Sequence, residues 1–264
     1  MKYFVFSDVH GCLSGLLSAL DEAGYESGNP AHHLLFLGDA FDKDGDERDD
    51  FGVYEFLKQG VESEKLTWVL GNHDVYLLNV LKSKTMNKFC KATIHNIALG
   101  LSGKPDLSDD ECIEVLIKND AKELIAMHGK DYFETEKYVF AHGFIPYNRH
   151  GRCYDENWRG ASATVWNGCR SLNGQKLVLQ GVRIPNKTLV CGHIGAYYGN
   201  LTLKYPNIAP DGKEFKKIAA RMMRTAKANK DMFKTFVGDG VIAIDGRSFD
   251  TGMVNVLVVE GNPV

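Results

Sequence analysis

Short apolar runs rich in β-branched and aromatic residues recur along the chain at 3–7, 34–37, 66–70, 137–141, 188–191, 241–244 and 253–260. Their length, and their lack of strict polar alternation, predict strands covered on both faces. Between them, apolar positions at helical spacing predict helices over 13–23, 51–59, 75–81, 109–127 and 213–236. Ser108, followed three residues later by Glu111, makes a capping-box pattern that starts the fourth of these. Alternating strands and helices imply an α/β fold. No repeat or linker breaks the order, which predicts one domain over 1–264 with helical insertions near 83–130 and 196–237.

Polar residues punctuate this pattern in one consistent place. Asp8 and His10 follow the first run, Asp39 the second, Asn72 and His73 the third, His142 the fourth and His193 the fifth. In open α/β sheets ligands gather at the carboxyl ends of strands, so five such ends imply one polar site assembled from distant segments. Four of the nine histidines lie in this context; His32, His33, His95, His128 and His150 do not, and are expected on the surface or in packing. Gly11, Gly38, Gly71, Gly143 and Gly192 stand beside these polar residues, where tight turns or close backbone approach suit glycine.

Bulk composition alters this picture little. Hydrophobic residues at 44% and charged residues at 25% allow an ordinary core. A formal net charge of -3 gives no general argument for binding nucleic acid or membrane. The six cysteines contain no C-x-x-C pair, which suits reduced structural thiols. With no signal peptide and no apolar stretch near the ~20 residues of a membrane span, a cytoplasmic protein is expected.

Aspartate, histidine and asparagine together offer hard oxygen and borderline nitrogen ligands suited to manganese, iron or zinc. Two divalent ions ~3.5–4 Å apart neutralise a phosphate and clamp the attacking and leaving oxygens of an in-line displacement. The ordered motifs Ser7-Asp8-Val9-His10-Gly11, Gly38-Asp39-Ala40-Phe41-Asp42, Gly71-Asn72-His73-Asp74, His142-Gly143 and Gly192-His193 resemble the calcineurin-like metallophosphoesterases. Within that family the chain is most similar to the phosphoprotein phosphatase (serine/threonine phosphatase) branch, bacterial and phage type. Ile244-Asp245-Gly246 resembles the family's closing strand pair.

The resemblance implies two central mixed β-sheets flanked by helices. It implies that Asp8 and His10 hold one metal, that Asn72, His142 and His193 hold a second, and that Asp39 bridges both. His73 would protonate the leaving oxygen and Asp42 would orient its imidazole. Two divalent ions are expected, manganese first, with iron, zinc or nickel as alternatives. The expected partner is a phosphorylated substrate, either a phosphoprotein or a small phosphoester.

The family's phosphate-gripping arginines are where the sequence departs. Lys43 stands in place of one, Leu70 in place of another, and Gly168 follows Trp166-Asn167 where a third belongs. Lys43, Arg170, Arg159 and Arg183 are the candidates to grip phosphate instead. Leu70-Gly71-Asn72-His73-Asp74 also resembles the diadenosine tetraphosphatases, which makes a symmetric dinucleoside tetraphosphate hydrolase the alternative. The segment 213–234 carries eight basic residues on an amphipathic pattern; capping or packing is expected there, with a metal nuclease as a further alternative. A catalytically silent binding module is the remaining one. A calcium loop starting at Asp44 fails, since Arg48 and Asp49 occupy its ligand and glycine positions.

Overall fold

Alternation along the first strand shows how the core is partitioned. Phe4 and Phe6 point to one side, into a cluster with Leu16, Leu34, Phe36, Trp68 and residues of the following helices. Tyr3 and Val5 point to the other side and meet Leu35, Leu37, Val69, Phe140, Val190 and Ile244. This second layer draws on two different sheets, so it is the seam of a sandwich. A strand buried on both faces cannot alternate apolar with polar residues, which is why these runs read as continuous.

The computed structural model describes residues 1–43, 48–148 and 153–264. Residues 44–47 and His150 lie outside them. The strands are β1 (Lys2–Phe6), β2 (His32–Phe36), β3 (Leu66–Val69), β4 (Gly129–Lys130), β5 (Phe133–Glu134), β6 (Tyr138–Phe140), β7 (Tyr147–Asn148), β8 (Cys153–Tyr154), β9 (Thr188–Cys191), β10 (Phe236–Gly238), β11 (Val241–Ala243) and β12 (Leu257–Glu260). One sheet has the order β12-β1-β2-β3-β4 and the other β10-β11-β9-β6-β5, with β7 and β8 as a separate hairpin. In the first sheet β1 through β4 are parallel and β12 is antiparallel. In the second, β6, β9 and β11 are parallel while β5 and β10 are antiparallel. Both sheets are therefore mixed, and helices cover their outer faces.

The helices are α1 (Leu13–Glu22), α2 (Asp50–Glu62), α3 (Asn72–Ser83), α4 (Lys91–Ser102), α5 (Asp109–Lys118), α6 (Ala121–His128), α7 (Ala163–Arg170), α8 (Gly174–Leu179), α9 (Tyr197–Lys204), α10 (Lys213–Arg224) and α11 (Ser248–Thr251). The Ser108–Glu111 capping box forms as expected. Three expectations need correction. The helix over 109–127 is two helices, because Asp120 takes a left-handed conformation at φ 59° and turns the chain after α5. The helix over 213–236 stops at Arg224, followed by 3-10 turns and β10. The strand over 253–260 starts only at Leu257.

The apolar stripe of α10 is not left open. Phe215, Ala219 and Met222 pack with Tyr198 and Leu201 of α9 and with Phe233. No helix among the described residues is long and apolar enough to cross a membrane.

Candidate metal centre

Six parallel strands end on the same side of the sandwich, and each passes into a loop that delivers a polar side chain. After β1, β2, β3, β6, β9 and β11 come Asp8, Asp39, Asn72, His142, His193 and Asp245. Two triads converge there, Asp8 with His10 and Asp39, and Asp39 with His142 and His193. Within each, the candidate ligand atoms lie within 4.8 Å of one another. Asp39 belongs to both. Asn72 joins through its side-chain oxygen, 3.2 Å from His142 Nε2. All of these side chains except His193 are buried.

The backbone is bent hard to bring them together. Of the non-glycine residues with positive φ, Asp8 (51°), His10 (45°), Asp39 (61°), Asp42 (73°) and His193 (64°) all lie in these loops. Such conformations cost on the order of 1–3 kcal/mol each and persist only where surroundings enforce them. Gly71 is one enforcer, since a Cβ there would collide with the Asp39 carboxylate. Another is Asp74, fully buried, whose carboxylate accepts hydrogen bonds from the backbone N–H groups of Asp39 (3.1 Å), Ala40 (3.1 Å) and Gly71 (2.8 Å) and from Trp68 Nε1 (3.1 Å). Ser248 Oγ donates toward the carbonyls of Asp8 (2.6 Å) and Val9 (2.9 Å), clipping α11 to the first loop. Gln175 donates to the carbonyls of Ile194 (2.7 Å) and Gly195 (3.2 Å), holding the loop after His193.

Each histidine of the triads spends one ring nitrogen on a backbone carbonyl. His10 Nδ1 donates to Phe41 O at 2.6 Å, His142 Nδ1 to Leu37 O at 2.7 Å, and His193 to Ser171 O. The other nitrogen then faces the cluster as a lone pair, the arrangement typical of ligating imidazoles. For His142 this sets Nε2 against Asn72 Oδ1 and Asp39 Oδ2, both at 3.2 Å. Acceptors facing acceptors in a buried place call for a cation between them. A metal fits this donor set.

A proton can take the cation's place at these acceptors, and burial and mutual charge move the titratable groups of the cluster in opposite directions. Burial and the neighbouring Asp245 push the Asp8 carboxyl well up, and burial pushes Asp245 up to about 6. Burial also drives His10 down to about 3 and His193 down to about 4. His142 goes the other way: burial opposes its charge, but Asp39 and Asp8 outweigh that and raise it to about 10. Burial works against the Asp39 carboxylate too, and the surrounding histidines hold it low all the same.

His73 sits at the edge of this group. Its backbone N–H donates to Asp39 Oδ1 at 2.9 Å, and its ring meets His10 edge-on at 5.3 Å. Asp42 Oδ2 lies 3.5 Å from His73 Nδ1, beyond a good hydrogen bond, and Nδ1 is buried without another partner. Asp42 is itself held by Thr93 Oγ1 (2.7 Å), from α4, which lies within the stretch expected to carry a helical insertion.

A family model described as calcineurin-like phosphoesterase matches residues 1–197. The chain belongs to this family. Calcineurin-like phosphoesterases are metal-dependent hydrolases of phosphoesters, and the two mixed sheets flanked by helices follow the family fold. Two curated relatives, from Bacillus velezensis and Bacillus subtilis, both carry the name bis(5'-nucleosyl)-tetraphosphatase PrpE (asymmetrical). The first is 32% identical over 31% of this chain and 34% of the relative. The second is 27% identical over 42% of this chain and 45% of the relative, so the match spans less than half the length of either. Among solved structures, a mutant of a cold-active protein tyrosine phosphatase overlays with a TM-score of 0.49 at 15% identity, covering 98% of this chain and 75% of that one.

Within this calcineurin-like frame, the four basic candidates for gripping phosphate separate sharply. Arg170 is only 3% exposed and is filled by internal partners: Leu70 O (3.0 Å), Asn167 (2.6 Å) and Asp131. It braces the turn before Gly71 from behind. Arg159 stacks on Trp158 and pairs with Glu134 through two bonds at 2.8 and 2.6 Å. Arg183 pairs with Asp239 at 2.9 Å. Glu134 also pairs with Lys187, just before β9, and Asp239 lies just before β11, so both pairs occupy the amino ends of strands whose carboxyl ends carry the cluster. Each of these three arginines is thus engaged by partners within the chain. Lys43 alone stands at the site, its Nζ 5.5 Å from the centre of the Phe249 ring, which meets His10 edge-on at 5.3 Å.

Asp245 was missed as a site residue because its motif was read only as a closing strand. The signal was present, since it follows an apolar run as the other five do. Arg247 was missed as well; it lies against the same Phe249 ring at 4.7 Å, paired with Asp250 at 2.6 Å.

Proposed function

We propose that this calcineurin-like phosphoesterase hydrolyses phosphomonoesters at a centre for two divalent metals, manganese first among them, within a single domain. Asp8 and His10 would hold one ion, Asn72, His142 and His193 the other, and Asp39 both. The sharing of Asp39 by two separate triads is the observation that carries this reading. When bound, such ions supply charge neutralisation for the phosphate and an acidified water as nucleophile.

The chain's own residues do the rest. His73 gives a proton to the leaving oxygen from Nε2, with Asp42 on the Nδ1 side keeping the ring turned. Lys43 attracts the phosphate as a point charge, without the planar fork of an arginine. The buried carboxylates and the strained loops hold the acceptors ready, so little rearrangement is needed during reaction. The reading favours a phosphoserine, phosphothreonine or small phosphoester substrate in a cytoplasmic setting.

The names of the two Bacillus relatives support a second reading, hydrolysis of a dinucleoside tetraphosphate. Side-by-side turnover of a phosphopeptide and diadenosine tetraphosphate ranks the two. The first test is hydrolysis of p-nitrophenyl phosphate with manganese, expected in the wild type and abolished in Asp39→Asn. A wild-type protein inert with every divalent metal overturns the proposal in favour of a silent module. Preference for bis-p-nitrophenyl phosphate would point to a nuclease, a role for which the packed stripe of α10 gives little support.

A further inference from the structure

Exposed apolar side chains are common singly and carry no message. Among the large hydrophobic residues exposed in the described chain, only two are aromatic, Tyr76 at 37% and Phe89 at 57%. They stand together, with ring centres 6.3 Å apart and planes 30° from parallel. Tyr76 also meets His73 edge-on at 5.5 Å, and His73 meets His10 at 5.3 Å. An unbroken ladder of rings thus leads from the metal cluster, past the acid histidine, to the surface.

The ladder borders a hollow of about 440 Å³, within the size range of small-molecule sites. Tyr76 lines it together with Asn79, Ser83, Asn87 and Lys88. Two side-chain amides and a hydroxyl can pair with both donors and acceptors on a ring edge. Asn87 Oδ1 accepts from the Phe89 N–H at 3.0 Å, and Lys88 rests its ammonium 5.1 Å from the centre of the Phe89 ring. The first contact holds the backbone beneath the outer ring, and the second lies against that ring.

We propose that Tyr76 and Phe89 form a stacking platform for a nucleobase, so that the preferred substrate is a phosphoester whose leaving group is a nucleoside. The assignment of side rests on the function proposed above: His73 protonates the leaving oxygen, and the ladder starts at His73. A leaving nucleoside therefore runs outward along it, its ribose bridging the gap from the ester oxygen to the rings. Flat apolar faces select a flat apolar group, and amides at the hollow's wall meet the polar edge of a base. A glycerol or serine leaving group uses none of this.

The test compares AMP with glycerol 2-phosphate in the manganese-loaded protein. The wild type is expected to favour AMP in kcat/KM, and Phe89→Ala to lower the AMP to glycerol 2-phosphate ratio by about 10-fold, within the range for loss of one base–aromatic stack. Phe89→Leu, which keeps apolar area without a π-face, should lose most of the preference as well. Phe89 is exposed, so neither change threatens the core. Equal losses on both substrates, or no AMP preference in the wild type, overturn the platform. A loss confined to a phosphotyrosine peptide overturns the nucleoside assignment. If neither phosphomonoester is turned over, the phosphomonoesterase reading fails on its own. The platform is then decided by saturation-transfer NMR with adenosine, where binding weakened by Phe89→Ala supports it and absence of binding overturns it.

Discussion

The floor and the rim of this site are built in opposite ways. On the floor, the histidines and the Asp39 loop are fastened from behind. His10, His142 and His193 each hold a backbone carbonyl, and Asp74 gathers four donors around the Asp39 loop. On the rim, Tyr76 meets the rings of His73 and Phe89, and Lys43 that of Phe249. The floor is overdetermined, and small changes there propagate through strained loops. The rim is a set of loosely tied side chains, free to vary without disturbing the strands beneath. Reaction type is written into the part that cannot shift, and substrate choice into the part that can.

Substitutions can break or sharpen that contrast, beginning with the largest effect. His73→Asn should lower kcat on an alkyl phosphoester by about 10²–10⁴-fold while bound metal, measured by atomic emission, stays unchanged. On p-nitrophenyl phosphate, whose leaving group needs little protonation, the loss should be smaller. A parallel loss of metal would make His73 part of the floor instead. Next, Asp74→Ala strands three backbone donors and the Trp68 N–H, and should weaken manganese binding by about 10–100-fold in a chelator competition although Asp74 itself binds nothing. Unchanged affinity would show that the loops hold themselves.

Ser248→Ala leaves two buried carbonyls short of a donor and should cost about 1–3 kcal/mol in denaturant unfolding. Its effect on kcat should stay within a few-fold once metal is saturating. The smallest effect is expected from Arg183→Ala. Its exposed pair with Asp239 is worth at most about 1 kcal/mol, and kcat/KM for any phosphoester should not move. A rise in KM would restore it as a substrate residue.

The floor was largely legible in the chain, because each candidate ligand follows a short apolar run and strand ends dictate where loops converge. Asp245 carried the same signal but sat next to a resemblance that explained it too early. The rim was far less legible. Whether an arginine is free depends on partners far away in sequence, as with Arg170 and Asp131 or Arg159 and Glu134. Local pattern holds no record of such pairings. The same holds for α4, where Gly100 packs against the Phe51 ring of another helix and Thr93 supports Asp42. The break at Asp120 was local and missed for another reason: apolar spacing continues through it on both sides.

Ser248 reaches back 240 positions to clip the loop that carries Asp8. During synthesis, the first ligands leave the ribosome long before that clip exists. Closure of loops so distant in sequence comes late in folding. A nascent chain thus exposes carboxylates and imidazoles with no assembled pocket to serve, and the proposed hydrolytic activity would switch on only once α11 has docked. Turnover, on the proposed function, would then act as a clock for completed folding.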